Sequence, residues 1–144
     1  MHEHLELLNK KTAFLERILE LTKNTKLTGN LDDMEREIAD FSHLYERRSI
    51  IMNGIHDADE KIAALDIQEK PGAEYLITLA AINSKQKKIA AELIELDKAN
   101  MLVYKKLSEH IKGDLKNVRQ TMDVNEAYMD DFESLQGYYF DKKN

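Results

Sequence analysis

Five histidines, His2, His4, His43, His56 and His110, are the residues of this 144-residue chain best suited to metal or proton chemistry. A carboxylate-bridged metal site in a helical protein needs Glu-x-x-His pairs on facing helices. Asp40 with His43 has that separation, but no second pair exists to face it, and His2 with His4 suits only adventitious metal. The chain has no cysteine, which excludes disulfides, thiolate nucleophiles and sulfur-rich metal sites. No serine or threonine is flanked by a base or an elbow motif, and no glycine-rich loop could cradle a phosphate. The sequence therefore predicts no enzyme, no cofactor and no metal. Net charge is −6, which argues against nucleic acid, since phosphate binding needs a concentrated basic face. The densest basic clusters, Lys85, Lys87 and Lys88 and Arg47 with Arg48, read as solvated helix faces. The longest uncharged apolar segment, Tyr75 to Ser84, is far shorter than the roughly 20 residues of a bilayer span, so no stable membrane insertion is expected. The acidic start Met1-His2-Glu3-His4 lacks the basic region of a signal peptide, and a cytoplasmic protein is the simplest expectation.

With catalysis set aside, the information lies in the elements. The chain is 42% hydrophobic and 33% charged, a mixture that suits an all-α protein with charged surfaces around periodic apolar stripes. Its longest periodic stretch runs from about Glu74 to Met122. Leu79, Ile82, Ile89, Leu93, Leu96, Val103 and Leu107 follow the alternating three-and-four spacing of a coiled-coil seam, with Gln86 and Asn100 at the remaining seam positions. Buried polar residues in a seam fix register at some cost in stability, the role expected of these two. After Leu107 the pattern slips to Ile111, Leu115, Val118 and Met122, opening with two successive four-residue steps. One unbroken helix over this stretch would be roughly 70 Å long.

Two shorter helices precede it. The first is expected over about residues 3–27, with Leu5, Leu8, Leu15 and Leu19 on one side and Leu7, Phe14, Ile18 and Leu21 beside them. Lys23 and Lys26 suit its C-terminus, Gly29 can take the left-handed conformation that ends it, and Asn30 reads as the next N-cap. The second is expected over 31–65, with Met34, Ile38, Phe41, Tyr45, Met52, Ile55 and Ile62 buried. Arg48 and Asp59 interrupt that stripe, and Arg48 is expected to carry its charge outward along an apolar stem. Gly54 predicts a bend or a close packing contact. Pro71-Gly72 closes the second turn, so the third helix spans 71–122. The predicted architecture is an elongated antiparallel three-helix bundle, or helical hairpin, over 1–122 with one very long third helix. A short C-terminal tail, 123–144, follows it.

If helices 2 and 3 pair end to end, with Leu65 near Glu74 and Leu31 opposite Ser108, everything beyond overhangs. Burying Ile111, Leu115, Val118 and Met122 is worth about 6–12 kcal/mol gross, enough after association costs for a micromolar contact. Three occupants fit: a second copy, making a homodimer; an amphipathic helix of another protein; or the chain's own tail folded back as an autoinhibitory segment. The tail holds half of the chain's Tyr and Phe residues, Tyr128, Phe132, Tyr138, Tyr139 and Phe140, separated by Asp130, Asp131, Glu133 and Asp141. A purely solubilising tail would be poor in aromatics. Among the methionines, Met34, Met52 and Met101 read as core filler, while Met122 belongs to the overhang.

Three stretches resemble the flagellar type III export chaperones of the FliT/FlgN kind, in their Gram-positive FliT-like form. Leu31-Asp32-Asp33-Met34 followed by Leu44-Tyr45-Glu46-Arg47-Arg48-Ser49-Ile50-Ile51 is similar to the acidic start and Glu-x-Arg-x-x-Leu-Ile pattern of these proteins. Ile94-Glu95-Leu96-Asp97-Lys98-Ala99-Asn100 is similar to their Leu-Asp/Asn-x-x-Asn segment. Gly137-Tyr138-Tyr139-Phe140-Asp141-Lys142-Lys143, preceded by Asn125-Glu126-Ala127-Tyr128, resembles their terminus. The resemblance implies a cytoplasmic chaperone that binds the C-terminal helical segment of a filament-cap or hook-associated protein, prevents its premature assembly and delivers it to an export-gate component. It places the client groove at Leu107, Ile111, Leu115, Val118 and Met122. Tyr128, or alternatively Tyr104, becomes the residue for delivery. Two other classes compete with this reading: a structural coiled-coil dimerisation protein, and a helical bundle that binds a metal or small molecule.

Overall fold

The computed structural model describes residues 2–66 and 70–111, all of whose regular structure is helical. Helix α1 spans His2–Asn24, a one-turn 3-10 helix Leu31–Asp33 leads into α2, Met34–Ala63, and α3 spans Ala73–His110. Helix α1 packs along both others, whereas α2 and α3 touch each other less extensively. Cross-links between helices set the directions. Lys11 reaches Asp59, near the far end of α2, so α1 and α2 are antiparallel. His4 meets Tyr75, Gln86 meets Leu8 and Asn100 meets Thr25, so α1 and α3 run parallel.

The α1–α2 corner follows from its residue types. Threonine hydroxyls compete with the helix for backbone carbonyls. Thr22 and Thr25 donate to the carbonyls of Ile18 and Leu21, and α1 ends at Asn24, before the expected Leu27. Gly29 has φ of +78°, the left-handed conformation that glycine adopts without steric cost. Asn30 caps the 3-10 turn, its side chain accepting from the Asp32 amide at 3.1 Å. The Glu37 carboxylate then reaches back to accept from the Thr28 amide and hydroxyl and the Gly29 amide, at 2.5, 2.6 and 3.1 Å. Burial alone would raise the Glu37 pKa, but these hydrogen bonds outweigh it and hold the group below its ordinary value.

Two apolar clusters fill the interior. In the first, Leu15 and Ile18 of α1 meet Ile51, Met52 and Ile55 of α2 and Ile89 and Leu93 of α3, with Phe14 packed against them. A methyl added to Gly54 would stand 2.8 Å from the Phe14 ring, so the close-contact alternative for Gly54 is the one realised. The second cluster joins α2 to α3 through Phe41, Leu44, Tyr45, Met101 and Tyr104. Phe41 stacks on Tyr104 with centroids 4.3 Å apart, and Tyr45 meets Phe41 edge-on at 4.9 Å.

Three expectations need correction. Helix α3 begins at Ala73, and its described part ends at His110, where Ile111 takes extended backbone (φ −97°, ψ 97°). The predicted unbroken helix thus departs from the structure at Ile111, and residues 112–122 lie outside the described ones. The register of α2 on α3 also differs. An end-to-end hairpin would set Arg48 opposite Ala91, but Arg48 pairs with Asp97 and Phe41 with Tyr104. Helix α3 is therefore displaced along α2, which leaves its first turns with less of α2 beside them. Arg48, finally, does not point outward: it is 0% exposed.

Candidate functional site

The described surface at the upper end of α3 defines where a client strip could begin. The Gly29 backbone lies beside Val103, which places the α1–α2 corner level with that turn. Leu107, one helical turn on, is 1% exposed and is the last buried residue of α3. Ile111 follows half-buried. Leu107 is therefore part of the interior, and an open strip can start no earlier than Ile111. Tyr104 is 0% exposed and stacked on Phe41, because its turn of α3 faces α2. That removes it as a docking residue. Leu115, Val118, Met122, Tyr128, Phe132, Tyr138, Tyr139 and Phe140 lie outside the described residues.

Below this end, the polar residues of the three helices meet one another inside the core. Arg48 donates to both carboxylate oxygens of Asp97, at 2.6 and 3.0 Å. Such a fork matches carboxylate geometry in a way that lysine cannot. The guanidinium carbon also lies 4.8 Å from the centre of the Tyr45 ring, a cation–π distance. Burial, with the Asp97 charge adding to it, pushes the Tyr45 hydroxyl well above its ordinary pKa. Lys11 is buried and bonds to Asp59 at 2.8 Å. Both interruptions in the apolar stripe of α2 are thus answered by an opposite charge on another helix.

Gln86 and Asn100 lie buried in the seam, as their spacing requires. Gln86 donates to the Leu8 carbonyl at 3.2 Å and the Thr12 hydroxyl at 3.0 Å. Asn100 donates to the Thr25 carbonyl at 3.3 Å. The three bonds tie α3 to α1 and to the residue just past its end, and a slip of one residue between these helices would break them. His4 bonds to Tyr75 at the lower end, where burial raises the Tyr75 pKa.

This arrangement holds the helices in register. Among the described residues no group of three or more His, Asp or Glu could hold a metal ion. Asp40 and His43, the pair with metal-ligand spacing, line a groove of about 370 Å³ between the end of α1 and α2, together with Lys26 and Arg47. Two cations beside the pair oppose a further positive charge. His43 lies 3.6 Å from Glu46, and His2 pairs with Glu6 at 3.0 Å. No described helix is long and apolar enough to cross a membrane.

Sequence reasoning missed Lys11, Thr12, Thr22 and Asp97 as buried residues. The signal was present in α1, where Leu8, Lys11, Leu15, Ile18 and Thr22 follow the same three-and-four spacing as a seam. Compared with known proteins, the chain matches no family model, no curated protein and no solved structure.

Proposed function

We propose that this protein is a cytoplasmic export chaperone of the FliT type, binding the C-terminal helical segment of a flagellar filament-cap or hook-associated protein and delivering it to the export gate. The observation that supports this reading is the level at which internal cover runs out. Leu107, one turn beyond the level of Gly29, is the last buried residue of α3, while the sequence continues with Ile111, Leu115, Val118 and Met122, apolar residues spaced by four, three and four. A helix-in-groove partner needs such a row of anchors. The aromatic terminus from Gly137 to Lys143 adds the resemblance already drawn, with Tyr128 as the candidate for delivery.

Calorimetric titration of the full chain with the terminal helices of filament-cap and hook-junction proteins tests the proposal. One set should bind at micromolar Kd or tighter. Ile111→Asp with Leu115→Asp should weaken that binding at least tenfold while the helical circular dichroism and thermal midpoint stay near wild type. Absence of binding to either set, or binding indifferent to the double substitution, overturns it.

A further inference from the structure

The opposite end of α3 presents a second surface, independent of the client reading. From Tyr75 to Ser84 the helix carries no charged residue, yet Leu76 is 49% and Ile77 71% exposed, with Ala80, Ala81 and Ser84 exposed beside them. Apolar exposure concentrated on one helix face marks an interaction surface more than a scattering of single residues would. Glu74, Ile77, Ala81, Ser84 and Lys88 are all exposed and succeed one another at alternating three and four positions. They therefore form one stripe along the outer side of the helix.

The stripe is complementary to its own inverse. It begins with an acid, ends with a base, and has Ala81 at its midpoint, with Glu74 and Lys88 each about 10 Å away along the axis. We propose that two copies of this chain pair antiparallel through this stripe, with a two-fold axis at Ala81 and Glu74 of each copy against Lys88 of the other. Ala80, Ala81 and Ser84 are small, so the helix axes can approach to about 8 Å at the crossing. Ile77 of each copy then lies over the small residues of the other. Charge polarity selects the second copy as occupant: the same acid-to-base order that repels a parallel copy attracts an antiparallel one twice. The patch covers a few turns of one helix, small against the roughly 800 Å² per partner of a standard interface, so the association is weak.

Sedimentation of the full chain from about 10 µM to 1 mM, a range suited to weak association, tests this. The mass should rise towards a dimer across the range. Ile77→Asp should leave a monomer throughout, Glu74→Lys should weaken association at least fivefold, and Glu74→Lys with Lys88→Glu should restore it. In this cysteine-free chain, Ala81→Cys should form a disulfide dimer under mild oxidation much faster than Leu102→Cys, an exposed position on the same helix. A monomer at the highest concentration overturns the proposal, as does equal cross-linking at the two positions. Association that survives Ile77→Asp, including any through residues 112–144, also overturns it. Failure of the charge-swapped pair to recover association overturns the antiparallel arrangement.

Discussion

The first turns of α3 and its middle differ in the reverse of what their compositions suggest. Tyr75 to Ser84 contains no charge, yet of its large apolar residues only Ile82 is fully buried, while Leu76 and Ile77 face outward. The middle, from Gln86 to Leu107, is richer in polar residues, and it buries Gln86, Asp97 and Asn100 alongside Ile89, Leu93 and Tyr104. What separates the two is the availability of neighbours. The displacement of α3 along α2 puts the middle between two helices and leaves the first turns beside the start of α1 and little else. A hydrophobic residue is buried only where something covers it, and a charged one can be buried where its opposite waits.

The sharpest way to break the middle region is to remove Asp97. Asp97→Ala leaves the Arg48 guanidinium buried without its carboxylate and should cost about 3–5 kcal/mol, read as a large fall in the urea midpoint. Replacing both partners, Arg48→Met with Asp97→Leu, should recover most of that loss, since apolar substitution of a whole buried pair is often neutral or stabilising. Leu93→Ala, in the apolar cluster shared by all three helices, should cost about 2–5 kcal/mol through lost burial and a cavity. Gly54→Ala sets a helix-propensity gain of about 1 kcal/mol against a clash with Phe14 worth about 1–3 kcal/mol. The net loss should be smaller than for Leu93→Ala and should turn into a gain when combined with Phe14→Leu, measured as a double-mutant cycle in thermal unfolding.

Smaller effects test the corner and the exposed turns. Because Glu37 has a depressed pKa in the fold, its contribution is fully present above the ordinary carboxylate value and is lost as pH falls through the folded one. Wild-type stability should therefore decline more steeply than that of Glu37→Gln on the acid side of pH 4.5, the two curves converging at low pH and separating by about 1–3 kcal/mol at neutrality. Ile77→Ser, in the exposed stretch, should change monomer stability by no more than about 0.5 kcal/mol, as seen in dilute chemical denaturation. A loss comparable to Leu93→Ala would mean that the comparison between the two regions is mistaken.

Much of this architecture was legible beforehand because its signals are local. Spacing gave the helical class, Gly29 and Asn30 gave the corner, Pro71-Gly72 gave the second turn, and the seam gave Gln86 and Asn100. The register was not legible, because it depends on pairs far apart in sequence. Arg48 looks outward-pointing until Asp97 is known to face it, and Lys11 is hidden among leucines until Asp59 answers it. The early end of α1 reflects threonine hydroxyls working together with Glu37, thirteen positions beyond Asn24. Tyr104 was read from sequence as an alternative delivery residue, and its stacking on Phe41 places it in the core instead.

The pairing of charges across helices also bears on how the chain is made. Lys11 is synthesised long before Asp59, and Arg48 long before Asp97, so each cation spends part of translation without its counter-charge. Neither α1 with α2, nor α2 alone, can close the core while Arg48 lacks its acid. The nascent polypeptide should stay sensitive to proteases until the stretch around Asp97 has cleared the ribosome, and then become resistant in a single late step.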